Sequence, residues 1–90
     1  ILLGREAYIA ASRLLEGMGK HEEARRMQSK AVDKYLFHRG DPKELIDFLA
    51  KSGNRYELER LKLALRREGN EVILRLIDNS VQQYDKRQLP

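Results

Sequence analysis

The sequence predicts an all-α protein of about five helices, arranged as stacked antiparallel helical hairpins with a C-terminal capping helix. Apolar residues recur at three- and four-residue steps, which lines one side of a helix, and no stretch alternates convincingly with the period of two typical of strands. The glycine-bearing corner at residues 15–24 also recurs 34 residues later at residues 49–58. A period of this length indicates stacked helix-turn-helix repeats.

The first hairpin is predicted over residues 1–38. Its first helix covers residues 4–18, and Gly17 and Gly19 are expected to end it, since glycine tolerates the left-handed conformation of helix ends. The expected inner stripe of that helix is Leu3, Ala7, Ala11, Leu14, Leu15 and Met18. The second helix begins at Lys20 or His21 and runs to about His38. Its expected inner residues are Ala24, Met27, Ala31, Val32, Tyr35 and Leu36.

The second hairpin is predicted over residues 41–68. Asp41 is expected to cap a short third helix, with Pro42 at its first position. Asn54 is expected to cap the fourth helix and Gly69 to end it. The residues expected to face inward or lie beside the inner face of the fourth helix are Tyr56, Leu58, Leu61, Ala64 and Leu65.

The C-terminal helix is predicted over residues 70–87, with Asn70 as its cap. Its apolar stripe is the most regular in the chain: Ile73, Leu76, Ile77, Ser80, Val81 and Tyr84. Because the opposite side of this helix is polar, we expect it to close the exposed end of the repeat array. Residues 1–90 would then form a single domain.

The 34-residue period resembles that of the tetratricopeptide repeat family. In the first unit, residues fall where that repeat favours aromatic, small and aliphatic side chains: Tyr8, Ala11, Ser12, Leu15, Gly19, Ala24 and Ala31. The second unit departs from the pattern, since Pro42 replaces the aromatic residue and the closing proline is missing. Gln28 and Lys62 stand where a large apolar residue is usual. The resemblance implies a fragment of a right-handed helical solenoid.

Residues 45–53 and 22–24 also resemble the two helices of pentatricopeptide repeats. That family binds single-stranded RNA by reading a base with paired side chains on successive repeats. The positions that would read bases carry Ala10 and Glu44 here, and neither is usual. The substitutions argue against coded RNA recognition.

The leading hypothesis for function is a non-catalytic module that binds a protein or peptide partner. A groove lined by the first and third helices would supply the contacts. Its candidate residues are Glu6, Ile9, Arg13, Glu16, Lys43 and Asp47. Homodimerisation through residues 1–3 or through the fifth helix is a further hypothesis.

The alternative hypothesis is a nucleic-acid-associated domain. The chain carries a formal net charge of +4, and the excess positive charge lies in residues 20–40 and 54–69. Basic rows on the second and fourth helices could contact phosphates. Their members are Lys20, Arg25, Arg26, Lys30, Arg55, Arg60, Lys62, Arg66 and Arg67.

Catalysis, a metal site and a cofactor are not expected. His21 and His38 are the two histidines, and a zinc-binding helix needs two histidines four residues apart. Residues 17–20 resemble a fragment of a phosphate loop but lack a preceding strand and a following Ser or Thr. No apolar run approaches the roughly 20 residues of a membrane span, and the chain has no cysteine, so we expect a cytoplasmic protein.

Overall fold

The computed structural model describes the backbone of residues 4–88 and the side chains of residues 4 and 6–84. Five helices follow one another: α1 (Arg5–Gly17), α2 (His21–His38), α3 (Lys43–Ser52), α4 (Arg55–Glu68) and α5 (Glu71–Gln88). The described residues contain no strand. The predicted all-α fold is therefore confirmed, whereas the stacking of hairpins into a solenoid stays a prediction.

The helices belong to two compact units. Unit 1 covers Ile1–Gly40 and contains α1 and α2, and unit 2 covers Asp41–Pro90 and contains α3, α4 and α5. In unit 2 all three helices contact one another, and α5 packs against α3 more extensively than α4 does. Unit 1 is thus a helical hairpin and unit 2 a three-helix bundle.

Unit 1 is held together by a face of α1 that the sequence did not predict. Ile9 and Ser12 are buried against a face of α2 that is rich in alanine, whereas Leu14 is 67% exposed and Met18 is 58% exposed. The expected inner stripe through Leu14 and Met18 is therefore wrong. The buried residues of α2 are Ala24, Gln28, Ala31, Val32 and Tyr35.

Hydrogen bonds to Gln28 explain the orientation of α1. The Gln28 side chain is only 1% exposed, and a buried amide needs hydrogen-bond partners. Its Nε2 donates to Ser12 Oγ at 2.9 Å and to Glu16 Oε1 at 3.0 Å. The face of α1 that carries Ser12 and Glu16 supplies these acceptors, and the more apolar stripe does not.

Three of the helices end in the same pattern of backbone hydrogen bonds. At the end of α1, the Lys20 N–H donates to the Leu15 carbonyl at 2.9 Å and the Gly19 N–H to the Glu16 carbonyl at 3.0 Å. This pair of bonds is a Schellman motif, and it places Gly19 in the left-handed region with φ +80°. Gly17 lies inside the helix instead, so its expected left-handed role is wrong.

The same motif follows α3 and α4. Asn54 donates to Leu49 and Gly53 to Ala50 after α3, and the corresponding donors after α4 are Asn70 and Gly69. The corners at Gly19 and Gly53, 34 residues apart, thus share one geometry. Because Gly69 shares it as well, the geometry marks an ordinary helix end and does not by itself indicate a repeat.

The helix starts agree with the sequence at two of three predicted caps. Asn54 Oδ1 accepts from the Glu57 N–H at 3.2 Å, and Asn70 Oδ1 accepts from the Ile73 N–H at 3.3 Å. Asp41 does not occupy the cap of α3, because the helix begins one residue later than expected, with Pro42 at the cap position. Its carboxylate still accepts from the Lys43 N–H at 3.0 Å.

The core of unit 2 is mainly aliphatic, and two polar contacts join its helices. Ser80 Oγ donates to Asp47 Oδ1 at 2.9 Å and joins α5 to α3. Lys62 Nζ lies 3.3 Å from Asp78 Oδ1 and joins α4 to α5. Each buried Leu or Ile contributes about 1.5–3 kcal/mol relative to an exposed position. These residues include Leu45, Ile46, Leu49, Leu58, Leu61, Leu65 and Ile77.

Candidate functional site

The six residues predicted to line a groove do not share one environment. Ile9 is 2% exposed and belongs to the core, so its predicted role as a surface contact is wrong. Glu16 accepts the Gln28 side chain and Asp47 accepts the Ser80 hydroxyl, so both carboxylates have structural partners. The remaining three residues are exposed, and they are Glu6, Arg13 and Lys43.

An apolar stripe on α1, in which Ala10, Leu14 and Met18 are exposed and Ala7 and Ala11 are half-buried, is a stronger candidate for a binding surface. We define the α1 apolar stripe by residues at helical spacing that lie away from Ile9 and Ser12. Leu14 and Met18 supply its large side chains, and the alanines that precede them on the helix are small enough for another helix to approach closely. The α1 apolar stripe consists of Ala7, Ala10, Ala11, Leu14 and Met18.

Two of the predicted groove residues border this stripe. Glu6 and Arg13 are seven residues apart, which places them on nearly the same side of α1, and both are exposed. An apolar centre with charged residues at its edge is the usual composition of a protein interface. Because Ile9 is buried, any binding surface that includes Glu6 and Arg13 has to lie further around α1 than the sequence predicted.

The basic residues of α2 are accessible but do not form one row. Arg26 and Lys30 lie four residues apart on one side, whereas Arg25 points to a different flank. Arg26 pairs with Glu22 at 3.3 Å, and since both side chains are largely exposed, the pair contributes little to stability. We define the α2 basic group as Lys20, Arg25, Arg26 and Lys30, all of which are exposed.

Two basic residues of α4 are engaged in contacts within unit 2. Arg60 Nη2 lies 2.7 Å from the Oε1 of Glu57, a buried carboxylate. Lys62 is only 16% exposed and its ammonium lies 3.3 Å from carboxylates of both Asp78 and Glu59, so its predicted role in binding phosphates stays a prediction. Arg55, Arg66 and Arg67 are exposed.

The outward side of α4 also carries two large apolar side chains. Tyr56, expected beside the inner face, is 77% exposed instead, and Leu63 is 52% exposed. They are seven residues apart and therefore lie on the same side of the helix. Isolated exposed apolar residues are common on protein surfaces, and two side chains form a smaller patch than the α1 apolar stripe.

A cavity opens in unit 1 between the beginning of α1 and the end of α2. Its volume is ≈ 550 Å³, within the range of small-molecule sites. The Lys30 ammonium lies 6.0 Å from the centre of the Tyr8 ring, and Phe37 meets His38 edge to face with ring centres 4.8 Å apart. We call it the α2 cavity. Its lining residues are Tyr8, Lys30, Asp33, Lys34, Phe37 and His38.

The resemblance of residues 17–20 to a phosphate loop has no counterpart in the structure. A phosphate loop binds its ligand through backbone N–H groups that point into the loop. Here the N–H groups of Met18, Gly19 and Lys20 donate to carbonyls at the end of α1. These N–H groups already form hydrogen bonds at the end of α1, so they do not point at a ligand.

Among the residues that the structure describes, no group of three or more His, Asp or Glu side chains is placed to hold a metal ion. None of the described helices combines the length and the apolar character needed to cross a membrane. The proposed dimer contact at residues 1–3 lies outside the described residues.

Comparisons of the chain with models of known protein families, with curated protein sequences and with solved structures give no match. The surfaces described above therefore have to be interpreted from their own chemistry.

Sequence reasoning missed the α1 apolar stripe and the α2 cavity. The stripe was visible as a pattern but was assigned to the core. For the cavity, the available signal was the spacing of Lys30, Lys34 and Phe37, which places them on one side of a helix. Tyr8 joins them from α1, because the antiparallel hairpin brings the start of α1 to the end of α2.

Proposed function

We propose that this chain is a non-catalytic helical module that binds a protein partner through the α1 apolar stripe. The observation that carries the proposal is the exposure of Leu14 and Met18. Two large apolar side chains next to three alanines form a continuous surface on one side of a helix. Such surfaces mark interaction sites more often than isolated apolar residues do.

The chemistry of the stripe indicates an amphipathic helix as the partner segment. Alanines at Ala7, Ala10 and Ala11 allow a second helix to come close, and Leu14 and Met18 would fill the spaces between its apolar side chains. Helix-in-groove recognition uses anchors at this spacing. Glu6 and Arg13 at the border would pair with charges on the partner and set its orientation.

A photo-crosslinking residue at position 14 tests this proposal. In an extract of the native cells, we expect the variant at Leu14 to crosslink to a discrete partner. The same residue at Val72, which is 80% exposed on α5, is the matched control. Equal labelling at the two positions would contradict the proposal, and a product of two copies of the purified chain would identify the partner as a second copy.

A charge substitution in the stripe adds a quantitative test. We expect Leu14→Glu to weaken partner binding about tenfold or more, because it places a carboxylate in a desolvated contact. Since Leu14 is exposed, the variant should keep its helical circular dichroism. Leu63→Glu on α4 is the control, with expected binding within about twofold of the original chain.

The second candidate function is association with nucleic acid through the α2 basic group. The supporting observation is that Lys20, Arg25, Arg26 and Lys30 are all exposed, so their charges are available to phosphates. The engagement of Arg60 and Lys62 in unit 2 leaves α4 with fewer available charges than the sequence suggested.

Fluorescence anisotropy with single-stranded RNA and duplex DNA tests the second candidate. We expect binding at low salt that is lost when Arg25 and Arg26 are both changed to Glu. The Leu14→Glu variant should bind nucleic acid normally, which separates the two functions. If neither nucleic acid binds at about 50 mM salt, where phosphate contacts are strong, the second candidate is excluded.

A further inference from the structure

We infer that the α2 cavity binds a nucleotide, with its base against the aromatic side chains and its phosphate at the lysines. The inference goes beyond the protein-binding function proposed above. For a nucleotide within a strand it rests on the second candidate function, whereas a free nucleotide would require neither function.

The aromatic side chains offer a surface on which a base can stack. Phe37 is 81% exposed, although burial of a phenyl ring is strongly favourable. Its ring contacts His38 edge to face, and Tyr8 lies on the α1 side of the same cavity. An exposed aromatic ring beside a concave surface is the arrangement that proteins use to hold an unstacked base.

The lysines supply the positive charge for a phosphate. Lys30 and Lys34 are four residues apart and so lie one above the other on α2. From Lys30 to Phe37 the helix rises about 10 Å, which is comparable to the distance between the phosphate and the far edge of the base in a nucleotide. One ligand can therefore reach the ammonium groups and the exposed ring together.

The carboxylate of Asp33 narrows the choice of ligand. It also lines the cavity, so the lining is not purely cationic. A nucleobase carries N–H groups that can donate to a carboxylate. The combination of aromatic rings, two ammonium groups and one carboxylate thus favours a nucleotide over inorganic phosphate or an apolar molecule.

The test uses the full chain labelled with ¹⁵N, at low salt, with four probes. They are adenosine monophosphate, adenosine, inorganic phosphate and a single-stranded RNA of about ten nucleotides. We expect adenosine monophosphate to shift the amide signals of Tyr8 and of residues 30–38. We expect it to bind at least about fivefold more tightly than phosphate alone, the low end of what stacking one base contributes.

Variants of an exposed lining residue, Phe37, and a half-buried one, Lys34, distinguish binding in the cavity from a general effect of charge. Phe37→Ala and Lys34→Gln should each weaken binding of adenosine monophosphate about fivefold or more. Lys51→Gln makes the same substitution at an exposed lysine of α3 that belongs to neither proposed site, and it should change binding less than about twofold.

The RNA probe identifies the source of the nucleotide. Shifts of the cavity signals with RNA but not with the free nucleotide support a strand as the ligand, and the reverse supports a free nucleotide. If neither ligand moves the cavity signals, or if Lys51→Gln weakens binding as much as Lys34→Gln, the inference is overturned. In the second case, RNA binding lost in the Arg25 and Arg26 variant would leave the second candidate function intact.

Discussion

At the residue scale, Gln28 determines which side of α1 is buried. The residue stands where the tetratricopeptide pattern usually has a large apolar side chain, and the structure gives it two acceptors on the opposite helix. Hydrogen bonds of this kind contribute modestly when made, about 1 kcal/mol, but cost more when a buried partner is left alone. The polar residue is therefore part of the core of unit 1.

Replacing Gln28 by Leu should destabilise the protein by about 1–2 kcal/mol, because the fully buried Ser12 hydroxyl loses its donor. Changing Ser12 to Ala as well should recover the part of this loss that comes from Ser12, since removing both partners of a buried hydrogen bond is nearly neutral, and the half-buried Glu16 can bond to water instead. Urea unfolding followed by circular dichroism measures both. Gln82→Leu on the exposed side of α5 is the control and should stay within about 0.5 kcal/mol.

At the element scale, the helices were predictable and their orientation was not. The ends of α1, α2 and α4 could be predicted from Gly19, His38 and Gly69, because helix termination is a local property of the chain. The facing of α1 depends on Gln28, which lies outside that helix, and no local pattern contains this information. The same holds for Lys62, whose partner Asp78 belongs to α5.

The candidate binding surfaces were hard to predict for the same reason, because they depend on how the helices pack against one another. A stripe of Ala and Leu at helical spacing predicts a buried face, and the α1 apolar stripe fits that description in every position. Its exposure became visible only when the hairpin was assembled, since Ile9 and Ser12 occupy the interface instead. The positive charge of α2 could be predicted from its basic residues. These residues lie on different flanks of the helix, however, and not in the single row that the sequence suggested.

The end of α1 offers a paired test of backbone conformation. A Cβ at Gly17 or Gly19 would meet no other atom within 4 Å, so space is not the issue at either position. Gly19→Ala should destabilise the protein by about 1 kcal/mol, because φ is +80° there. Gly17→Ala should stabilise it by about 0.5–1 kcal/mol, because Gly17 is helical.

Thermal or urea unfolding of the two variants checks this prediction. Effects of the same sign would show that the left-handed corner is not at Gly19. Both variants carry the same Gly→Ala substitution, only two residues apart, so the difference between them reports the backbone conformation at each position.

The contact between α3 and α5 gives a second prediction at the element scale. Ser80 is buried and donates to Asp47 at 2.9 Å. Ser80→Ala should lower the free energy of unfolding by about 1 kcal/mol. Asn79→Ala on the exposed side of the same helix is the matched control.

A loss of partner binding in Asp47→Ala without a loss of stability would instead restore Asp47 as a groove residue.

At the scale of the whole molecule, the net charge of +4 overstates the charge available to a nucleic acid. Arg60 and Lys62 face carboxylates of their own unit, whereas the α2 basic group is exposed. Nucleic-acid binding would use the exposed charges of the α2 basic group, whereas partner binding would use the α1 apolar stripe. The affinities of the two candidate functions should therefore depend on salt concentration to different degrees.

If the α2 basic group contacts a single strand, the logarithm of the binding constant should fall with the logarithm of salt concentration with a slope of about −3. This value follows from four neutralised phosphates at about −0.7 each. Anisotropy titrations between about 50 and 200 mM salt measure it. Partner binding through the α1 apolar stripe should change little over that range, and a steep slope there would contradict an apolar contact.

The bonds of Gln28 also bear on how uniquely the hairpin is aligned. Ala24 and Ala31 give α2 a smooth surface, on which apolar contacts alone would tolerate more than one register. A slip of one helical turn, about 5.4 Å, would separate Gln28 from Ser12 and Glu16 and leave its amide buried without them. Polar residues in helical interfaces can select one alignment in this way, at some cost in stability. The doubly apolar variant of Gln28 and Ser12 should thus unfold nearly normally yet give broadened amide signals, as the helices exchange between registers.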